Sequence, residues 1–344
     1  MSPPDVSIPV ETEPATYDFA DWNSSDLEKA RGYRPEPKLE SAFRVALLLN
    51  QPLLLTGEPG TGKTQFAYYA SYQQKLGPPL LFETKSSSTA RDLFYSYDTL
   101  GRFHEAQFAK SSDNNAAATP KETPAVDQRD YITYNALGIS IINTRERPKV
   151  QEWLPSGFEH VGPRRSVVLI DEIDKAPRDF PNDILNEIEN AYFKIPEFRD
   201  PKTHRPVVIE ANKKYAPILI LTSNSEKTLP DAFLRRCIYY NIPFPEEERL
   251  CDIIDARLGS ISDATAVKDA VKLFVKLREN STGLRKKPAT AELLNWLTSL
   301  RALDTNVEAP LKESKALGST LNTLVKTAED QHKAERIVLT WPKG

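Results

Sequence analysis

The sequence has few of the residues that build metal centres or disulfide frameworks. Its 344 residues include two cysteines, Cys237 and Cys251, and four scattered histidines, and no CxxC pair occurs. Neither a zinc site nor a structural disulfide is therefore expected. No apolar run approaches the roughly 20 residues that span a bilayer, and the first residues lack the basic and apolar regions of a signal peptide. These absences predict a cytoplasmic protein without a membrane segment.

The chain also lacks an excess of charge of either sign. It has 45 basic residues (Lys and Arg) and 48 acidic residues (Asp and Glu), which gives a net charge of −3. Proteins that coat nucleic acid or lie on a membrane surface usually carry a clear basic excess. The balance argues against both classes, although it leaves room for a local basic path, so nucleic acid is a possible partner that the composition does not indicate.

One glycine-rich segment has a specific chemical pattern. Residues 57–64 read GEPGTGKT, after the apolar run Leu53–Leu55 and before a helix-compatible stretch. This is G-x-x-x-x-G-K-[ST] in its strand–loop–helix context, in which the lysine reaches the β and γ phosphates and the hydroxyl binds Mg²⁺. The glycines let successive N–H groups face inward, and the helix adds its positive dipole end. The sequence predicts a site for ATP or GTP formed by Gly57, Glu58, Pro59, Gly60, Thr61, Gly62, Lys63 and Thr64.

Two carboxylates follow a second apolar run. Val167–Ile170 is typical of a strand buried on both faces of a parallel sheet, and it leads into Asp171 and Glu172. In an enzyme with a phosphate loop, Asp171 would hold Mg²⁺ together with Thr64, and Glu172 would polarise the water that attacks the γ phosphorus. A strand that ends in a solvated acidic turn is the alternative, and the glycine-rich segment favours the first interpretation.

Further polar residues are candidates for a role at the same site. Asn224 closes another predicted buried strand, Ile218–Leu221, where it could orient the attacking water or simply form a turn. Arg235 and Arg236 follow a short helical pattern, where surface arginines are usually solvated. One of them would gain a specific task at the γ phosphate of a neighbouring subunit, because an arginine supplied in trans stabilises the transition-state charge.

Three consecutive cations precede a predicted helix in the C-terminal part. Arg285, Lys286 and Lys287 stand just before Pro288 and the predicted helix Thr290–Leu300. Cations at a helix N-terminus oppose the helix dipole, so a nearby anion would relieve the conflict. A bound phosphate is one candidate for that anion, and a solvent-exposed basic turn is the alternative interpretation.

The hydrophobic pattern divides the chain into an α/β part and a helical part. We predict an extended arm (1–37), an α/β nucleotide-binding core (38–245) with a mobile polar insertion (about 109–128), a helical lid domain (246–328) and a tail (329–344). Within the core, the run Ile132–Asn143 suggests one or two short strands, and a β-hairpin is predicted between Tyr192 and Ile209. The aromatic residues Phe94, Tyr95 and Tyr97 could grip a partner or pack inside the core.

Taken together, these motifs resemble those of AAA+ ATPases in order and spacing. The series is GEPGTGKT at 57–64, VVLIDEID at 167–174, LTSN at 221–224 and LPDAFLRRC at 229–237, followed by helices. The resemblance covers roughly residues 38–328 and is greatest for the MoxR-like group, because of the hairpin candidate and the segment KKPATAELLNWL at 286–297. It implies a parallel-sheet, three-layer α/β core with a small C-terminal helical lid domain.

The resemblance also implies roles for individual residues. Asn224 matches the sensor-1 position, and Arg236 matches the arginine finger, with Arg235 as the alternate. Related proteins often place an arginine after the lid proline, where this chain has Ala289, so Lys287 or one of its basic neighbours would be the sensor-2 cation. The segment that begins at Tyr33 is expected near the adenine.

The resemblance further implies how such a protein works. ATP and Mg²⁺ are the expected ligands, and a hexameric ring of identical subunits is the expected assembly. MoxR-like proteins resemble chaperones that remodel or load partner protein complexes, often partners with a von Willebrand factor A domain. A nucleotide-gated scaffold or sensor in bacterial defence or signalling, and a nucleic-acid-dependent motor, are alternative functions. A small-molecule kinase is disfavoured, because it needs neither an arginine finger nor such a lid.

Overall fold

The computed structural model describes residues 21–105, 127–224, 228–303 and 308–341. The predicted insertion at 109–128, apart from its last two residues, and the first 20 residues of the predicted arm lie outside this range. Two compact units emerge, described here as the sheet unit (Met1–Asp26, Pro37–Leu55 and Ala70–Tyr240) and the lid unit (Leu27–Glu36, Thr56–Tyr69 and Asn241–Gly344). The contacts between residues group the glycine-rich segment with the C-terminal helices in one unit. The domain boundaries predicted from the sequence place this segment in the α/β nucleotide-binding core (38–245).

The sheet unit is built on five parallel strands in the order β2-β5-β8-β1-β9. Parallel registers pair Val168 of β5 with Leu80 of β2 and with Leu219 of β8. In chain order, the strands of the described residues are β1 (Leu53–Thr56), β2 (Leu80–Glu83), β3 (Tyr95–Tyr97), β4 (Ile132–Tyr134), β5 (Val167–Asp171), β6 (Tyr192–Arg199), β7 (Pro206–Glu210), β8 (Ile218–Ser223) and β9 (Ile238–Asn241).

Apolar runs produce the central strands because both faces of the sheet are covered. Leu53–Leu55 of β1 and Val167–Ile170 of β5 have no measurable exposure to solvent. Continuous β-branched and leucine side chains are the composition that such two-sided burial requires. The helices of this part of the chain are Pro37–Leu49, Lys63–Gln73, Ala136–Ile142, Arg147–Val150, Phe180–Asp183, Leu185–Asn190 and Asp231–Leu234. A first helix, Ser24–Arg31, precedes them.

One predicted stretch of strand is largely helical. The run expected to give short strands between Ile132 and Asn143 forms only β4 and then the helix Ala136–Ile142. Its second part, ALGISII, is apolar apart from Gly138 and Ser140, and a short run of this kind does not distinguish helix from strand. A Cβ at Gly138 would lie 2.0 Å from the carbonyl oxygen of Phe94, which shows how closely the helix approaches its neighbour.

The aromatic residues after β2 are part of the core. Phe94 and Tyr95 are almost fully buried, and Tyr95 donates a hydrogen bond of 2.8 Å to the carboxylate of Glu197. Burial and this hydrogen bond raise the pKa of Tyr95 well above its usual value. A gripping role is therefore excluded for these two residues, because their rings pack inside the protein.

The predicted hairpin is confirmed. β6 and β7 pair antiparallel, with Phe193 opposite Ile209 and Ile195 opposite Val207. Every second side chain of β7 is buried, because successive side chains of a strand point to opposite faces; Val207 and Ile209 face the core, and Val208 between them is exposed.

The C-terminal part of the lid unit is helical, as predicted. Its core centres on the fully buried Phe274 and Trp296, and the indole N–H of Trp296 donates a hydrogen bond of 2.9 Å to the hydroxyl of Thr320. The helix Ala328–Thr340 covers most of the predicted tail, and its Asp330 is fully buried. No helix in the described ranges is long and apolar enough to cross a membrane. The other helices are Glu247–Leu258, Thr265–Arg278, Thr290–Leu303 and Leu317–Thr320.

Candidate nucleotide-binding site

The glycine-rich segment adopts a backbone that only glycine accommodates without strain. Gly57, Gly60 and Gly62 have φ values of 141°, 78° and 87°. A Cβ at Gly57 would lie 2.6 Å from the carbonyl oxygen of Ile242, and one at Gly62 would lie 2.8 Å from the ring of Tyr33. Both approaches are closer than a side chain permits. We call residues 57–64 the phosphate loop, since this is the tight backbone that such a cradle needs.

Lys63 is held inside the phosphate loop. The residue is 6 % exposed, and its ammonium group donates hydrogen bonds to the carbonyl oxygens of Gly57 (2.8 Å) and Glu58 (2.9 Å). The helix Lys63–Gln73 begins at this residue, so its positive dipole end and the ammonium group lie together. Thr64, whose hydroxyl is the predicted Mg²⁺ ligand, is the next residue of the helix. A preformed cation in a glycine cradle fits a polyphosphate.

Aromatic side chains pack beside the loop. The ring of Tyr33 lies against Phe66 and Tyr69, with ring centroids 5.9 and 5.7 Å apart. The same ring limits the space at Gly62. The segment that the family resemblance places near an adenine therefore lies next to the last glycine of the phosphate loop.

The lid contributes a cation that the sequence did not reveal. Arg278, the last residue of the helix Thr265–Arg278, has a side chain that is 10 % exposed and donates a hydrogen bond of 2.6 Å to the carboxylate of Glu58. No local pattern marks Arg278, because its partner lies 220 positions earlier in the chain.

The basic segment before the helix Thr290–Leu303 meets an anion of the protein itself. The backbone N–H groups of Arg285 and Lys286 donate hydrogen bonds of 2.9 and 3.1 Å to the carboxylate of the buried Asp330. The side chain of Lys287 donates a hydrogen bond of 2.8 Å to the side-chain oxygen of Asn280. A carboxylate of the protein therefore lies at the backbone of this segment, and both the bound phosphate and the role of Lys287 as a nucleotide contact stay predictions.

In the sheet unit, the acidic pair is fixed by the neighbouring strand. Thr222 of β8 is fully buried, and its hydroxyl donates a hydrogen bond of 2.5 Å to Asp171. The same hydroxyl accepts the backbone N–H of Glu172 at 2.8 Å. Glu172 has φ 54° and ψ 51°, a left-handed conformation that is costly for a residue other than glycine. Such strain is concentrated at functional sites, so Thr222 stabilises a turn that the chain would not otherwise adopt.

The carboxylate of Glu172 is oriented from two sides. The side-chain amide of Asn224 donates a hydrogen bond of 3.0 Å to one oxygen, and the ammonium group of Lys175 forms an ion pair with the other. The backbone N–H of Asn224 in turn donates to the buried carboxylate of Asp174 at 3.3 Å. The structure therefore brings Asp171, Glu172 and Asn224 together, because β5 and β8 are adjacent parallel strands.

The arginine pair lies on the surface of the sheet unit. Arg235 and Arg236 are both exposed, and the guanidinium of Arg236 forms an ion pair with Glu189 and donates a hydrogen bond of 2.9 Å to the carbonyl oxygen of Ala232. The next residue, Cys237, is half-buried, and burial raises the pKa of its thiol to about 12. The shift favours the protonated thiol at neutral pH.

Comparison with known proteins places the chain in a family. The family model described as AAA domain (dynein-related subfamily) matches residues 52–237, more than half of the chain. The chain therefore belongs to this family of AAA domains. The predicted fold class, a parallel α/β sheet with flanking helices and a helical C-terminal part, is confirmed.

Solved structures similar to this chain include RuvB from Thermotoga maritima. One RuvB mutant aligns with a TM-score of 0.44 and 16 % identity over 86 % of this chain and 70 % of that one. The structure described as the Thermotoga maritima RuvB Holliday junction branch migration motor aligns with a TM-score of 0.41 and 16 % identity over 86 % of this chain and 69 % of that one. No curated protein matches this chain.

Proposed function

We propose that this protein hydrolyses ATP and uses the reaction to remodel or assemble a partner protein complex, as MoxR-like AAA+ proteins do. The observation that carries the proposal is the geometry of Glu172. Its backbone is held in a costly conformation by Thr222, and its carboxylate is oriented by Asn224. Backbone conformations of this kind cluster at functional sites, where the surrounding contacts compensate for their cost.

Each residue of the site has a chemical task in this proposal. Lys63 and the N–H groups of the phosphate loop bind the phosphates. Thr64 and Asp171 hold Mg²⁺, which supplies charge neutralisation to the phosphate oxygens when it is bound. Glu172 accepts a proton from the attacking water, and the hydrogen bond from Asn224 keeps the carboxylate of Glu172 oriented toward that water.

The proposal includes a second subunit. Arg236 is exposed, and both members of its ion pair with Glu189 are about half exposed (43 and 45 %), so the pair is weak and can exchange for another anion. In a ring of identical subunits, we propose that Arg236 acts on the γ phosphate of the adjacent subunit, with Arg235 as the alternate, in the manner of an arginine finger. Lys287 is proposed as the sensor-2 cation, which contacts the nucleotide.

Replacing Glu172 by Gln tests the proposed chemistry. The variant is expected to bind Mg·ATP in calorimetry while its phosphate release falls by at least about 10²-fold, the range that loss of a general base gives. The matched control is Lys63→Ala, which should lose binding as well as turnover. Wild-type turnover by the Glu172→Gln protein would show that Glu172 is not the base. Failure of the folded wild type to bind Mg·ATP or Mg·GTP would remove the proposed function altogether.

The same variant separates the candidate partners. With ATP bound and turnover blocked, the Glu172→Gln protein should retain its client, so affinity capture should recover a specific protein complex that wild-type protein releases. Capture of nucleic acid, with hydrolysis that DNA or RNA stimulates and salt suppresses, would favour a motor instead. ATP-dependent oligomerisation with slow turnover and no client would favour a scaffold or sensor.

A further inference from the structure

Arg278 occupies an unusual environment for an arginine. Its side chain is only 10 % exposed, and the guanidinium carbon lies 3.2 Å from the ring centroid of Phe244. Its two terminal nitrogens have different partners, the carboxylate of Glu58 at 2.6 Å and the carbonyl oxygen of Pro288. A buried guanidinium is costly unless it is paired. Arg278 therefore needs an acidic partner, and Glu58 is that partner.

Glu58 is itself in an unusual place for a carboxylate. It is the second residue of the phosphate loop, and its carbonyl oxygen lies 2.9 Å from the ammonium group of Lys63. The loop pattern accepts any residue at this position, so phosphate chemistry does not require an acid there. Charges interact over distances of about 10 Å at ordinary ionic strength. An uncompensated carboxylate in the loop would therefore repel a bound polyphosphate.

The lid approaches the loop at a second point. A Cβ at Gly60 would lie 2.8 Å from the Cβ of Ala289, which precedes the helix Thr290–Leu303. Ala289 brings only a methyl group to this contact. Arg278 is a cation of the lid that contacts the loop, through its hydrogen bond to the carboxylate of Glu58. It also donates a hydrogen bond to the carbonyl oxygen of Pro288, the residue before Ala289.

We propose that Arg278 is a positioning residue of the nucleotide site, which neutralises Glu58 and thereby sets the affinity of the phosphate loop for nucleotide. This inference rests on the proposed function, since it concerns the affinity of the same loop. A packing role of Arg278 would not depend on the charge at position 58, whereas the proposed role does. Loss of the arginine exposes the loop to the negative charge of Glu58, whereas loss of both charges does not.

A charge cycle tests the proposal. Dissociation constants for Mg·ATP are measured by calorimetry for wild type, Arg278→Gln, Glu58→Gln and the double variant. Arg278→Gln should bind about fivefold to tenfold more weakly, the effect of one partly screened unit charge. Glu58→Gln should bind at least as tightly as wild type, and the double variant should return to within about twofold of it. These differences should shrink at high salt, because exposed charges are then screened.

Two results would overturn the inference. A double variant that binds no better than Arg278→Gln would show that Arg278 acts by packing, and an Arg278→Gln protein with wild-type affinity would show no role at all. If Arg278→Gln does not fold, as judged by thermal melting, Glu58→Gln decides alone, and a loss of affinity in that variant would refute the inference. Lys63→Ala keeps the failures apart, because wild-type binding that depends on Lys63 upholds the proposed function whatever Arg278 does.

Discussion

The side-chain amide of Asn224 donates a hydrogen bond of 3.0 Å to the carboxylate of Glu172 and so joins the ends of two adjacent parallel strands. Neither residue is fully buried, and each is anchored by its backbone N–H group, to Thr222 for Glu172 and to Asp174 for Asn224. The carboxylate is therefore held from strands that the fold keeps in fixed register. In the proposed reaction, this hydrogen bond keeps the carboxylate in the orientation that activates water.

Replacing Asn224 by Ala is expected to lower the rate of ATP hydrolysis by about 10²-fold, because a small misplacement of a catalytic group has an effect of that size. The affinity for Mg·ATP should change little, since the role proposed for Asn224 is to orient the carboxylate of Glu172. Calorimetry and single-turnover hydrolysis measure the two quantities separately. A matched control is Asn190→Ala, which removes an exposed asparagine elsewhere in the sheet unit. Unchanged hydrolysis in the Asn224 variant would contradict the assigned role.

Replacing Thr222 by Val keeps the shape of the side chain and removes its hydroxyl. The hydrogen bonds of this hydroxyl with the N–H of Glu172 and with Asp171 are then lost. Leaving a buried polar group unsatisfied costs about 1–3 kcal/mol, so the free energy of unfolding in urea should fall by that amount, and hydrolysis should fall with it. Thr222→Ser, which retains the hydroxyl, should recover most of both. Equal loss in the serine and valine variants would contradict this role, because keeping the hydroxyl would then preserve neither stability nor activity.

Replacing Arg236 by Ala is expected to reduce hydrolysis by about 10³-fold in the assembled protein, the lower end of the effect of an arginine finger. Stability should change by less than about 1 kcal/mol, because the ion pair with Glu189 is exposed. Glu189→Gln removes the same ion pair and leaves the arginine, so it serves as the control and should retain activity. If Arg236→Ala and Glu189→Gln lose activity equally, the ion pair itself is needed for hydrolysis.

Asp330 gives the protein a pH-dependent contribution to stability. Burial raises the pKa of Asp330, but hydrogen bonds with the N–H groups of Arg285 and Lys286 and with Thr327, together with the charge of Lys333, outweigh it, and the pKa lies below its usual value of 3.8. A carboxyl with a lower pKa in the folded state stabilises the fold above the unfolded pKa, and this contribution is lost as the pH falls through the folded pKa. Asp330→Ala should therefore destabilise the protein by about 1–3 kcal/mol at pH 7.

The difference between wild type and Asp330→Ala should decrease below about pH 4, near the pKa of an unfolded aspartate. Urea unfolding at a series of pH values measures it. Glu335→Ala removes an exposed carboxylate of the same helix and should change the unfolding free energy by no more than about 0.5 kcal/mol. A difference between wild type and Asp330→Ala that is independent of pH would show that the charge of Asp330 is not involved.

Much of the fold and part of the site could be predicted from the sequence. The buried strands, the hairpin and the phosphate loop have local signals, such as continuous β-branched runs and glycines at fixed spacing. The proximity of Asn224 to Glu172 could also be expected, because parallel strands end at the same edge of a sheet. Of the one or two short strands predicted in Ile132–Asn143, β4 is present, but the helix Ala136–Ile142 was not predicted, since a short run rich in apolar residues does not distinguish helix from strand.

The residues that sequence reasoning missed depend on distant partners. Thr222 lies 50 positions from Glu172, and Arg278 lies 220 positions from Glu58. Asp330 lies 45 positions from Arg285. Nothing in the local pattern around these residues distinguishes them from ordinary threonine, arginine or aspartate in a strand or helix.

By itself, the sequence determined where the phosphate loop lies, which strands are buried and where the helical part begins, because the backbone conformation of each segment follows from its neighbours along the chain. Only the tertiary structure decided which polar groups meet. The order of the strands placed the hydroxyl of Thr222 next to Asp171 and Glu172. The packing within the lid unit placed Arg278 next to Glu58 of the phosphate loop. Hydrogen bonds and ion pairs depend on distances of a few ångströms, and those distances are set by the packing of segments that are far apart in sequence.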